Sequence, residues 1–344
     1  MAELIGDYSL FLIKLLSIAL VLLFVFATVI SLLRRQQPGE PGHLQVRRLN
    51  TRLRELQETM EHQLLDQRSA KARHKQRQRE EKQRRKGRTK PRPRAYVLDF
   101  EGDLRASQLN SLRQEITAII SVAERGEEVI LRLESPGGMV HSYGLAASQL
   151  VRLREHGLHL TVAVDKVAAS GGYMMACVGE RILAAPFAIL GSIGVVAQIP
   201  NFRRLLQRHH IDFEQHTAGE YKRTLTMFGH NTDTARRKFR EDLDDTHQLF
   251  KDFVGQYRPE LDLDKVATGE YWFGTRAHAL GLSDEISTSD EYLLKLSQDH
   301  DVYELKYRLK PPLAERLAGS AATVWQRLGE SLRGEERHSR LPEA

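Results

Sequence analysis

The chain has 344 residues, room for one large domain or two small ones with appendages, and 41% of them are hydrophobic, enough to build a core. A single cysteine, Cys177, excludes an internal disulfide and a thiolate metal cage. The formal charge of +6 conceals a division: residues 34–94 hold 20 Lys/Arg against 7 Asp/Glu, net +13, while residues 1–33 stand at −1 and residues 95–344 at about −6.

Ser9–Leu33 reads SLFLIKLLSIALVLLFVFATVISLL, with Lys14 its one charge. Leu15–Leu33 gives 19 uncharged, mostly apolar residues, which as a helix measure roughly 29 Å, close to the hydrocarbon thickness of a bilayer. A cleavable signal peptide has a shorter apolar core and a small-residue cleavage site; this run ends on Arg34-Arg35. The expectation is a short flank (1–8), an uncleaved transmembrane anchor (9–33) and a basic, partly helical linker (34–94). Within the linker Leu49, Leu53, Leu56, Met60 and Leu64 recur at spacings of three and four, predicting an amphipathic or coiled-coil helix over 47–86. Beyond Gln67 the sequence is almost all Lys, Arg and Gln, which suits anionic lipid headgroups or a solvated linker. No aromatic residue is interleaved to stack on bases, so nucleic acid is not an expected partner. Pro91 and Pro93 close the segment.

A globular body is expected over 95–310, followed by a charged tail over 311–344. Tyr96–Phe100, Glu128–Leu133 and Leu158–Val164 read as strands, and Leu109–Ala123, Val140–Arg154 and Ser170–Val178 as helices. Such alternation argues for an α/β fold with a parallel sheet. Ile182–Pro200 is apolar, but Pro186, Gly191, Gly194 and Pro200 divide it, so it reads as core strands and turns rather than a second span. Thr232–Tyr257 is a long amphipathic helix with Phe239, Leu243, Phe250, Val254 and Tyr257 on one side. Cys177, in the apolar run Tyr173–Val178, reads as a small buried hydrophobe.

Three glycine-bearing motifs could carry chemistry. Glu134-Ser135-Pro136-Gly137-Gly138 leads from a strand into a helix, where backbone amides favour an anion. Taken alone, it reads as a tight strand-to-helix turn. Val167-Ala168-Ala169-Ser170-Gly171-Gly172-Tyr173 exposes a serine hydroxyl beside the Gly171 amide, half of an oxyanion hole, although Ala168 replaces the first glycine of a G-x-S-x-G elbow. Ser170 is therefore a candidate nucleophile in want of a base. None of the 14 histidines lies in an informative setting; His209, His210 and His216 come nearest. Ala218-Gly219-Glu220-Tyr221-Lys222-Arg223 offers a lysine instead, which serves as a base only when neutral and held against an apolar wall. Taken alone it is a surface lysine in a basic run.

The string ESPGG…AASGGYMMA…GSIGV…GEYKR resembles the signal peptide peptidase A family of Ser/Lys proteases, most closely its SohB branch, from about Tyr96 to Asp290. The resemblance implies a Clp protease/crotonase-like domain, preceded here by one N-terminal transmembrane helix and assembled as a homo-oligomeric ring or dome. It implies Ser170 as nucleophile, Lys222 as general base and Ser192 as the hydroxyl orienting the lysine, with the Gly138 and Gly171 amides as oxyanion hole and Tyr173 and Met174 near the nucleophile. Arg223 departs from the small or acidic residue usual after that lysine. The implied activity is a serine endopeptidase acting on hydrophobic peptides such as signal-peptide remnants or membrane-protein fragments, with no metal or organic cofactor. The rival readings are a crotonase-like acyl-CoA enzyme and a catalytically silent membrane scaffold. The setting is the bacterial inner membrane with a single pass. Positive charge after the anchor favours a cytoplasmic body, whereas the resemblance favours a periplasmic one, the side adopted here.

Overall fold

The computed structural model describes residues 14–24, 42–85 and 92–308. Residues 14–24 form a helix, α1, by themselves. The rest of the expected anchor (9–13 and 25–33) and the tail over 311–344 lie outside the described residues. Among those described, no helix is long and apolar enough to cross a membrane.

From residue 44 to 308 the chain forms one unit. It begins with strand β1 (His43–Arg48) and helices α2 (Leu49–Leu64) and α3 (Gln67–Arg85). Alternation then sets in: β2 (Arg94–Glu101), α4 (Leu109–Val122), β3 (Glu128–Glu134), α5 (Val140–Glu155) and β4 (His159–Val164). Next come β5 (Val167–Ala169), α6 (Gly171–Ala176), β6 (Arg181–Ala184) and β7 (Ile189–Gly191). The last part holds α7 (Arg203–Arg208), α8 (Asp233–Tyr257), α9 (Leu263–Val266), β8 (Tyr271–Phe273), α10 (Gly274–Ala279), β9 (Glu285–Ile286), α11 (Ser289–Asp299) and β10 (Asp301–Arg308).

Seven strands make the main sheet, in the order β1-β10-β2-β3-β4-β6-β9, and every pairing from β10 to β9 is parallel. The expected α/β fold with a parallel sheet is thus present. Successive side chains on a strand point to opposite faces, and both faces are filled. Tyr96, Leu98, Phe100, Val129, Leu131 and Leu133 enter a large core with α4, α5 and α6, whereas Ala95, Val97 and Ile130 meet Leu293 of α11 on the other side. Burial on both faces is why these strands read as apolar runs. Towards the strand ends the second face turns ionic: Arg132 bonds both oxygens of Asp99, at 2.5 and 2.9 Å, and Glu304 at 2.5 Å.

Two features differ from expectation. The body reaches back into the segment read as a linker: β1 joins the sheet edge, and buried Asn50 bonds Ser297 O, His300 O and Val302 N–H. The helix expected over 47–86 is two helices, broken at Leu65-Asp66, where the Asp66 carboxylate accepts from Arg68 and Ser69 N–H. At the other end of the body, Ile182–Ile193 lies largely in the core, but Val196 is 81% exposed, so the apolar run leaves the core before Pro200.

Glu115 sits in the buried stripe of α4 with Leu112, Ile116 and Ile119, and accepts a hydrogen bond from Tyr307 N–H at 2.6 Å. Desolvation raises its carboxyl to about 7. The folded protein then holds a proton that the unfolded chain releases near 4.5, so stability falls as pH rises from about 4.5 to 7. Glu115→Gln keeps the acceptor and removes the charge. Urea melts in detergent are expected to show it stabilised by ~2 kcal/mol at pH 8 and little changed at pH 4.5.

Candidate active site

A second, three-stranded sheet, β5-β7-β8, carries the site. Ser135 continues β3 and bridges to Ala168, and its N–H donates to Val167 O at 2.8 Å while its carbonyl accepts from Ala169 N–H at 3.0 Å. β5 runs parallel to β7 with Ala169 opposite Gly191. The next residue of each strand is therefore a serine: Ser170 and Ser192 emerge side by side. Both have φ of +52°. A non-glycine residue there costs on the order of 1–3 kcal/mol and persists only where its surroundings dictate it. Ser170 N–H donates to Gly191 O at 2.8 Å, its carbonyl accepts from Met174 N–H at 3.0 Å, and Ser192 N–H donates to Glu270 O at 2.6 Å. The expected helix from Ser170 starts at Gly171, leaving the serine on the turn with its side chain half-buried.

Against this turn lies Ser135-Pro136-Gly137-Gly138. Gly137 has φ of +89°, and a Cβ there would come within 2.7 Å of Ala169 O and Gly171 N and 2.8 Å of Ser170 Cβ. The contact is of backbone on backbone, and glycine is what permits it. Behind it stands a buried brace. Gly137 N–H donates to Ser135 Oγ at 3.1 Å, and Ser135 Oγ and Tyr143 Oη lie 2.7 Å apart. Tyr143 Oη in turn donates to Asp103 O at 2.8 Å, so the Ser135 hydroxyl donates to tyrosine and every group in the chain is satisfied. Tyr143 is fully buried and its ring packs on Gly171.

Gly138, Ser170, Gly171 and Met174 share one narrow pocket with Val140, Gly194, Val195, Thr246 and Phe250. Four of the five residues singled out for chemistry thus come to one place: Ser170 and Ser192 by register, Gly138 and Gly171 on the pocket wall. Met174 lines the pocket as expected. Tyr173 turns away into the core, its hydroxyl donating to Leu282 O at 3.1 Å, and burial pushes its pKa far up. Cys177 is buried too, its thiol likewise pushed up by desolvation, as a structural hydrophobe should be.

The fifth residue stands apart. Lys222 lies in an irregular stretch between α7 and α8, exposed, with Gly219 at φ of +98° before it. Its N–H donates to Gly219 O at 3.2 Å, but among the described residues its side chain has no hydrogen-bond or ion-pair partner and it does not line the Ser170 pocket. Arg223, His209, His210 and His216 are exposed as well. Among the described residues no cluster of His, Cys, Asp or Glu could hold a metal.

Helix α8 supplies residues that the sequence reading passed over. Thr246 and Phe250 line the pocket, and His247 Nε2 lies 3.1 Å from Ile193 O, one residue past Ser192. Thr246 and His247 fall three and four residues after Leu243 and four and three before Phe250, a polar interruption of the apolar stripe. That interruption was the available signal.

Chemically, the arrangement presents a strained, half-buried hydroxyl, a backbone turn pressed against it and an apolar cleft. It suits attack on a carbonyl whose flanking group is apolar.

The peptidase family S49 N-terminal domain matches residues 3–150, and the peptidase family S49 domain matches residues 152–303. A Haemophilus influenzae protein named "Probable protease SohB" is 49% identical over 330 residues, 93% of each chain. One of the same name from Buchnera aphidicola subsp. Acyrthosiphon pisum is 54% identical over 239 residues, 70% of each. Among solved structures, a membrane-bound stomatin-specific protease in complex with a substrate peptide covers 67% of this chain and 98% of its own, with a TM-score of 0.40 and 14% identity.

Two alanine substitutions separate contact from conformation. Gly137→Ala places a methyl against backbone at positive φ and is expected to cost about 2–4 kcal/mol. Gly144, inside α5, has open space where an alanine methyl would sit, with nothing within 4 Å, and is expected to gain ~0.5–1 kcal/mol as alanine. Chemical denaturation of the two variants beside the parent chain checks both signs.

Proposed function

The chain belongs to peptidase family S49, in its SohB type, and from that premise we propose that it is a serine endopeptidase in which Ser170 attacks the peptide carbonyl and Lys222 accepts the serine proton. The observation that carries the reading is the Ser170 turn: a serine at φ of +52° beside the glycine turn at 137–138, facing an apolar pocket. In the first step the Ser170 Oγ–C bond forms as the proton passes to the neutral amine of Lys222. Gly138 and Gly171 are assigned the oxyanion, and Ser192 the amine of the lysine. The amide C–N bond breaks as the lysine returns its proton to the leaving amine, and water then hydrolyses the acyl-enzyme. Val140, Met174, Val195 and Phe250 give the pocket an apolar lining, which supports hydrophobic peptides as substrates.

The lysine chemistry requires more than one exposed arm. Phe202, Leu205, Ile211, Phe213, Tyr221 and Phe228 all stand exposed on residues 202–228. Assembly into a homo-oligomer would cover these side chains and desolvate Lys222, and the ring or dome of the family is the assembly assigned. A Clp protease/crotonase-like domain is the fold assigned within the α/β class, supported by a nucleophile turn hung on a small sheet beside the parallel one. Residues 9–33 are assigned as a single-pass inner-membrane anchor, with the body on the periplasmic side.

The test is peptidase activity of the full chain in detergent on casein and on a signal-peptide substrate, with labelling by a serine-reactive probe. Ser170→Ala is expected to lose labelling and at least ~10³-fold of kcat, Lys222→Ala a similar fraction of kcat, and Ser192→Ala roughly ten- to a hundredfold. Full activity in Lys222→Ala would sink the dyad, and labelling that persists in Ser170→Ala would sink the nucleophile.

A further inference from the structure

Helix α3 turns back on α2 and divides its charges between two faces. Inward, Arg77 Nη2 donates to Glu61 at 2.5 Å, Arg73 Nη1 to the same carboxylate at 3.4 Å, and His74 lies 3.3 Å from Glu58. The Arg77 hydrogen bond holds the Glu61 carboxyl below its usual range. Outward the pattern differs. Arg68, Lys71, Lys75, Arg79 and Lys82 follow one another at spacings of three and four, which places them on one helix face. All five are exposed, and among the described residues none of their side chains has a hydrogen-bond or ion-pair partner. No acid stands at any of those spacings. A merely solvated helix gains from interspersed signs; this one sorts them.

We propose that this outward stripe of α3 is a docking surface for the anionic phospholipid headgroups of the membrane in which the chain is anchored. The proposal rests on the anchor assigned above. Ten peptide units separate Leu33 from His43, a reach of at most about 35 Å, so covalent connection keeps the start of the body close to the headgroups. Each basic side chain near an anionic surface adds to the attraction, which fades within a Debye length of ~8–10 Å. Headgroups suit the stripe better than nucleic acid does, because α3 contains no Phe, Tyr or Trp on which a base could stack and its one imidazole, His74, faces inward to Glu58. Held this way, the hairpin would orient the body relative to the bilayer, which covalent connection alone does not.

The full chain is reconstituted into vesicles of phosphatidylcholine alone, or with about a third phosphatidylglycerol, carrying a fluorophore on Gln78→Cys. Cys177 is fully buried, so the added thiol is the accessible one. A quencher on the lipid headgroups reports approach of α3. Quenching is expected to be at least roughly threefold stronger in the anionic vesicles, and to vanish at about 0.5 M salt or when the five stripe residues are changed together to Gln. Equal quenching in both vesicles, or quenching that survives the five changes, overturns the proposal. So does capture of a labelled RNA oligonucleotide through the same five residues without any lipid effect, which reassigns the stripe. Failure to float with neutral vesicles after a salt wash overturns the anchor instead, and salt-sensitive flotation with anionic vesicles alone would leave the stripe standing.

Discussion

Three residues of parallel pairing, Val167–Ala169 against Ile189–Gly191, hold the candidate site together. The register ends both strands at the same level and delivers two serines into the left-handed region. Neither serine would adopt that backbone alone, since the penalty is not met within the turn. It is met by what surrounds it: the hydrogen bond from Ser170 N–H to Gly191 O, the glycine turn pressed on the Ser170 Cβ, and the fully buried helix α6 that the serine begins. Strain is stored at the two serines, and core burial a few residues away offsets it.

The brace behind the turn shows how little freedom remains. Ser135 serves three partners at once, accepting from Gly137 N–H and donating to Tyr143 while its main chain pairs with β5. Tyr143 reaches back to the Asp103 carbonyl after β2. The loops following β2 and β3 and the helix α5 are thereby linked by hydrogen bonds inside the protein, where an unsatisfied group would cost about 1–3 kcal/mol. The apolar core explains why this end of the sheet folds, but the polar chain explains why it has one geometry.

Much of the body was legible because both faces of its strands are buried. The runs at Tyr96–Phe100, Glu128–Leu133 and Leu158–Val164 announced themselves by apolar composition, and α8 by its apolar stripe. The segment before Pro91 was harder to read. β1 is an edge strand of mixed residues, HLQVRR, without apolar alternation, and Asn50 gains its buried role only from the end of α11, some 250 residues away in sequence. His247 and Thr246 were passed over for a related reason. On a long helix a polar residue inside the apolar stripe looks like a flaw, and only the fold shows that a pocket lies opposite it.

Lys222 marks the boundary of what one chain provides. A lysine that accepts a proton must be neutral at the moment of attack, which calls for an apolar surround, and Lys222 is exposed. The exposure of the arm from Phe202 to Phe228, with Phe228 stacked on Phe202 at 6.1 Å and tilted against Phe213 at 5.7 Å, belongs to the same difficulty. Both would be resolved by one event under the proposed assembly, the burial of the arm against another surface. Burial would remove apolar area from water and at the same stroke disfavour the charged amine. On the proposed dyad, the Ser170 turn is built by folding, whereas the setting of Lys222 would come from association. Under the proposed dyad, a peptidase arranged in this way would be inert as a free chain and active once assembled, its chemistry confined to the place where copies meet.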